Sequence, residues 1–133
     1  MKQKIILVRI DKLIGHERVS STRLRAVRSA IHTDGVVRRP VIVERNSEVI
    51  LDGHHRVRAL RDLGAKRVPV AYVRYSDTNV RVYMRRKGML MKMIKRAVIE
   101  MAKENKLFPS KTTRHVIHDR PMMKAVRLEQ LLK

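Results

Sequence analysis

Val49-Ile50-Leu51-Asp52-Gly53-His54-His55-Arg56-Val57-Arg58-Ala59-Leu60 is the stretch on which the reading of this chain turns. Val49, Ile50 and Leu51 form a short apolar run of strand length. Val57, Leu60 and Leu63 then recur at helical spacing. The order is strand, glycine turn, helix. A glycine at such a turn lets backbone approach a ligand closely. The first amides of a helix lack internal partners, and the helix dipole is positive there, so phosphate is a natural occupant. His54, His55 and Arg56 add three side-chain donors at the same end. A plainer reading has Asp52 cap the helix and Gly53 merely permit the turn. A plain cap, however, needs no His-His-Arg after it.

Working upstream, Lys4 to Ile10 is rich in β-branched residues and predicts a strand. A loop through Gly15-His16-Glu17 follows. Ser20 or Ser21 can cap a helix running to about His32, with Leu24, Val27 and Ile31 on its buried face and Asp34-Gly35 ending it. Pro40 opens a strand, Val41-Ile42-Val43. Arg45-Asn46-Ser47 turns that strand into Val49-Ile50-Leu51 as a hairpin. The signature helix spans about His54 to Leu63, and Gly64 suits its C′ position.

Downstream, Val68 to Tyr75 alternates and predicts a strand despite Pro69. Val80, Val82 and Met84 alternate with Arg81 and Tyr83, which suggests another. From Gly88 the period becomes helical: Leu90, Ile94, Ala97, Val98 and Met101 form one stripe, with Lys92, Lys95, Arg96 and Lys103 opposite. Pro109 ends that segment, and a polar loop is expected through His115. Val126 to Leu132 echoes Val8 to Ile14, too briefly for a repeat, and suggests two similar strand-to-turn units. No linker or low-complexity segment divides the chain. Its 133 residues read as one domain, 1–133, with a signature core over 1–76 and a further part over 88–133.

Composition narrows the function classes. The 32 Lys and Arg stand against 12 Asp and Glu, for a net charge of +20. Such a field attracts polyanions and small anionic ligands, so nucleic acid is a candidate partner. The charge is diffuse: 15 cations face 7 anions in residues 1–66, and 17 face 5 in residues 67–133, unlike a dedicated basic tail. Aromatics are only 3%, which argues against base stacking on aromatic platforms. There is no cysteine, so disulfides and thiolate metal sites are excluded. His54 and His55 point about a hundred degrees apart on a helix, so they rarely share one metal ion. The apolar run near the N-terminus is too short for a signal peptide or a membrane helix. The expectation is a soluble cytoplasmic protein with no membrane partner.

"LDGHHRVRAL" resembles the signature turn of the ParB/sulfiredoxin superfamily, and within it the chain is most similar to the free L-serine kinases. Ile14-Gly15-His16-Glu17 and Leu63-Gly64-Ala65-Lys66-Arg67 extend the likeness. Phe108-Pro109-Ser110-Lys111-Thr112-Thr113-Arg114-His115-Val116 is its most specific part, since ParB partition proteins and sulfiredoxins lack it in that form. The resemblance covers residues 4–76 and 106–133. It implies a ParB/sulfiredoxin-like α/β (α+β) fold, a small mixed sheet with flanking helices. It also implies a kinase that transfers phosphate from ADP or ATP, with Mg²⁺, to free L-serine, giving O-phosphoserine. Glu17 would be the base on the substrate hydroxyl; its alternative is a surface glutamate pairing with Arg18 or Arg23. Asp52 would orient substrate or hold Mg²⁺ through water. Gly53, His54, His55 and Arg56 would bind the nucleotide phosphates. Ser110, Lys111, Thr112, Thr113, Arg114 and His115 would form the second wall of the site, where guanidinium and hydroxyls suit phosphate oxygens; the alternative is a solvated basic loop. A ParB-like DNA-binding protein or nucleotide-dependent switch is the rival reading, motivated by the charge and the same turn. A sulfiredoxin-type phosphotransferase would need a cysteine that this chain lacks.

Overall fold

The computed structural model describes residues 4–76, 80–86, 89–92, 95–104, 106–107, 113–117 and 125–133. The aliphatic start of the chain forms β1 (Ile5–Arg9), followed by a 3-10 turn, Ile10–Lys12. Helix α1 (Ser21–Asp34) is capped by Ser20, whose Oγ accepts from the Arg23 N–H at 3.3 Å, and ends on the left-handed Gly35. Then come β2 (Val36–Val37), β3 (Val41–Glu44), β4 (Ile50–Asp52), α2 (His54–Asp62) and β5 (Arg67–Val73). The remainder holds β6 (Val80–Arg86), β7 (Met89–Lys92), α3 (Lys95–Lys103), β8 (Thr113–Ile117), β9 (Val126–Arg127) and α4 (Leu128–Leu131).

The main sheet has the order β1-β5-β3-β4. β5 runs parallel to β3 and antiparallel to β1, and β3 and β4 form the expected hairpin. The period-two alternation of a strand decides which core each residue enters. On β3, Val41 and Val43 join one buried cluster with Val57 and Leu60 of α2 and Ile31 of α1. Ile42, between them, joins a second cluster with Leu51, Ala71, Val80, Val98 of α3 and Ile117 of β8. The sheet is therefore covered on both faces, and its central strands are apolar at nearly every position. Pro69 is accommodated because it pairs opposite Leu7 of β1 while the β3 ladder begins only at Val70.

The C-terminal segment returns to the start of the fold. β9 pairs with β2, the Leu128 N–H donates to the Gly35 carbonyl at 2.9 Å, and the Lys66 N–H donates to the Leu131 carbonyl at 2.8 Å. The echo between the two ends has a structural counterpart, since each is a strand followed by one short helical turn.

Three expectations are corrected. The helical period from Gly88 does not start a helix there. Met89–Lys92 pairs with β6 in an antiparallel hairpin, and α3 begins at Lys95; Ile94 lies outside the described residues. A partner strand overrides a short periodic pattern, as tertiary context overrides local preference. Lys95 is not on a solvated face, because its Nζ donates to the Tyr75 carbonyl at 2.6 Å. The polar loop does not extend through His115 either: Thr113, Arg114 and His115 belong to β8, paired with β6. Among the described residues, no helix is long and apolar enough to cross a membrane.

Candidate active site

β4 delivers the chain to the N-terminus of α2. Gly53 occupies the N-cap with φ 109° and ψ 23°, so the N-cap residue itself offers no side chain to the helix. Asp52 therefore lies one residue before the N-cap. A Cβ on Gly53 would meet Arg56 Nη2 at 2.9 Å and Val41 Cγ2 at 3.1 Å. The absence of a side chain there lets the Arg56 guanidinium fold back over the turn. Arg56 Nη2 stands 3.6 Å from Asp52 Oδ2, with the two side chains 19% and 35% exposed, and Nη1 reaches the Arg39 carbonyl at 3.5 Å. Backbone amides, a positive helix end and a guanidinium thus converge beside one carboxylate.

The two histidines of the signature turn reach toward the loop between β1 and α1. His54 Nε2 accepts from the His16 backbone N–H at 3.1 Å, and His55 Nε2 accepts from the Ser20 N–H at 3.0 Å. An accepting Nε2 fixes the neutral ring with its hydrogen on Nδ1. Glu17 lies between those two anchors. It is 8% exposed, so it is a buried carboxylate and not a surface glutamate.

His16 is fully buried, and its Nδ1 donates to the Ile50 carbonyl at 2.7 Å. Burial pushes its pKa down to about 4, against the opposing pull of that carbonyl. Its ring meets His54 edge-on at 4.6 Å and His115 at 5.8 Å. His115 lies nearly parallel to the Tyr75 ring, with Nε2 2.6 Å from Tyr75 Oη. Burial first, and then His16, push the His115 pKa down to about 3; Asp52 and the Leu51 carbonyl oppose them. The Leu51 carbonyl acts there without a well-formed hydrogen bond, since among the described residues His115 Nδ1 has no partner of good geometry. Burial, with a smaller contribution from Glu44, raises the Tyr75 phenol far above its ordinary range. Lys95 Nζ sits 5.4 Å from the centroid of that ring.

The structure brings together Asp52, Gly53 and Arg56 at the turn, His54 and His55 against the loop bearing Glu17, and His115 against His16. Arg114 is exposed on β8, and Thr113 pairs there opposite Met84. Ser110, Lys111 and Thr112 lie outside the described residues. Tyr75 and Lys95 were not expected at this site. Their contacts span 40 and 20 residues of sequence, a separation that no local pattern encodes.

Fold and turn define the class: a ParB/sulfiredoxin-like α/β domain in which a glycine opens the N-terminal end of α2. Residues 2–86 match the family described as the ParB N-terminal domain, and the chain belongs to that family. It is 37% identical over 81 residues to an ATP-dependent L-serine kinase of Staphylothermus marinus, covering 58% of this chain and 32% of that protein. It is 30% identical over 86 residues to an ADP-dependent L-serine kinase of Thermococcus kodakarensis, covering 62% of this chain and 36% of that one. The match thus spans about a third of the length of these curated relatives. A solved free serine kinase in complex with AMP superposes with a TM-score of 0.88 at 19% identity, over 98% of this chain and 95% of that chain. At that identity the likeness is one of fold.

Proposed function

We propose that this protein is a free serine kinase, transferring phosphate from ADP or ATP to L-serine to give O-phosphoserine. One juxtaposition carries the proposal: a buried carboxylate, Glu17, held to the same helix end over which Arg56 folds beside Gly53. Phosphoryl transfer asks a protein for a positioned nucleophile and neutralised phosphate charge. In this reading the α2 amides and Arg56 hold the phosphates. Glu17 takes the proton of the serine hydroxyl as its oxygen bonds to phosphorus and the bond to the nucleotide's bridging oxygen breaks. In the same reading Ser110, Lys111, Thr112, Thr113, Arg114 and His115 would supply the second wall of the site. The relatives named as L-serine kinases support the choice of acceptor.

Mg²⁺ fits this donor set. Among the described residues, no three His, Cys, Asp or Glu gather as a metal-binding group. Mg²⁺ is commonly held by one or two carboxylates together with phosphate oxygens and waters, and in this reading Asp52 would contribute one such contact through water. When bound, the ion would neutralise phosphate charge.

The +20 charge favours a second reading, a ParB-like DNA-binding protein or nucleotide switch. Replacing Arg56 tests the phosphate site. Arg56→Ala should weaken ADP and ATP binding by roughly tenfold or more in calorimetry, the scale of a lost charge-assisted hydrogen bond. Unchanged affinity in a folded Arg56→Ala protein would remove this site from the proposal.

A further inference from the structure

We infer that His54 is a positioning residue for Glu17, holding the carboxylate's loop through the backbone N–H of His16. The inference rests on the kinase reading, in which Glu17 is the base. Between Ile14 and α1 the loop is tied both to the sheet and to α2. The Ile14 N–H donates to the Glu48 carbonyl at 2.9 Å, and the Ile50 N–H donates to the Ile14 carbonyl at 2.8 Å. Two further anchors are His16, through His54, and Ser20, through His55. Glu17 follows the first of these directly. Both end on the first turn of α2, the turn that opens the phosphate site.

This explains why two histidines stand side by side. Neighbours on a helix project about a hundred degrees apart, so they suit two separate points better than one ligand. Here those points are four residues apart in the loop, one on either side of Glu17. The fully buried His16 amplifies the effect, because its amide has no access to water if His54 Nε2 is removed. His16 is also clamped on its ring side by the Ile50 carbonyl, so the residue that leads into Glu17 is held at both its ring and its amide. The carboxylate and the phosphate end of α2 are thereby held in one register. A shift of an ångström in such a register costs about a hundredfold in rate.

His54→Leu and His54→Gln separate this role from direct phosphate binding. Glutamine can place an amide oxygen where Nε2 lies, whereas leucine cannot accept a hydrogen bond. Turnover of L-serine with nucleotide should fall roughly ten- to a hundredfold in His54→Leu. Nucleotide affinity should stay within about twofold, and His54→Gln should recover most of the turnover, because the amide oxygen restores the acceptor. In ¹⁵N-labelled wild-type protein, His54 should show a protonated Nδ1 and an unprotonated Nε2 coupled to the His16 amide. Full turnover in His54→Leu overturns the inference. So does equal loss of nucleotide affinity and turnover in both variants, which would make His54 a phosphate ligand, or a protonated Nε2 in the wild type. If His54→Leu does not fold, a folded His54→Gln protein with wild-type nucleotide affinity and crippled turnover also overturns it; near-wild-type turnover with the Nε2 signature supports it. A wild-type protein without phosphotransferase activity, its Nε2 signature intact, would instead overturn the kinase reading on which this role depends.

Discussion

Gly53→Ala probes the turn most sharply. At φ 109° the backbone sits where an L-residue is strained, by about 1–3 kcal/mol. The new Cβ would also meet Val41 Cγ2 at 3.1 Å, Arg56 Nη2 at 2.9 Å and Arg56 Nε at 3.2 Å. Val41 is locked in the core on β3, so the guanidinium must yield. It would swing away from Asp52, ending a partly exposed ion pair at 3.6 Å that is worth under about 1 kcal/mol. The expected loss is about 1–4 kcal/mol in total. Gly35→Ala is the control: φ is +70° at the end of α1, with nothing within 4 Å of the added Cβ. Only the left-handed backbone is penalised there, by about 1–2 kcal/mol. Urea unfolding of both variants, with nucleotide titration by calorimetry, separates the two effects. Gly53→Ala should lose more stability and, alone of the two, weaken nucleotide binding by roughly tenfold. Equal stability losses with unchanged affinity in both would refute the picture of Arg56 folded over a bare turn.

Glu17→Gln should lower turnover by about a hundredfold, the scale of a lost base, while nucleotide affinity in titration changes little; full activity would assign Glu17 a structural role only. Asp52→Asn should also slow turnover. It should leave urea-unfolding stability within about 1 kcal/mol, because asparagine keeps the acceptor oxygen and the pair with Arg56 is partly exposed. Stability should fall in acid through the buried histidines. His16 is pushed from 6.5 to about 4 by burial, so its neutral ring contributes in full above pH 6.5 and loses that contribution as pH drops toward 4. That shift corresponds to about 3 kcal/mol. His115 extends the loss toward about pH 3. Urea midpoints that stay level from pH 7.5 to 4.5 would contradict this.

Much of the fold was legible because its first half is written in local signals. Ser20, Gly35, Pro40 and Gly64 each do locally what their chemistry dictates, and the observed ends of α1, β3 and α2 follow them within about two residues. The second half was less legible. Met89–Lys92 carries a pattern that suits either period, and only the presence of β6 decides for a strand. β2 and β9 are two-residue strands whose pairing joins residues some ninety positions apart. The candidate site was legible as residue types and illegible as contacts. Asp52, Gly53 and Arg56 stand where the turn predicts. That His54 and His55 accept from backbone amides, that Glu17 is buried and that His115 turns inward to Tyr75 depend on the sheet that brings these segments together. A sequence shows which side chains can donate or accept; only the folded sheet decides on whom.

The most direct test of the central claim is phosphorus NMR of the protein incubated with Mg²⁺, L-serine and either ADP or ATP. The account predicts a growing phosphomonoester signal of O-phosphoserine, matched by AMP from ADP or ADP from ATP, and suppressed in Glu17→Gln. No phosphorylated product with either nucleotide, while duplex DNA is still bound near physiological salt, would contradict it and favour the DNA-binding reading.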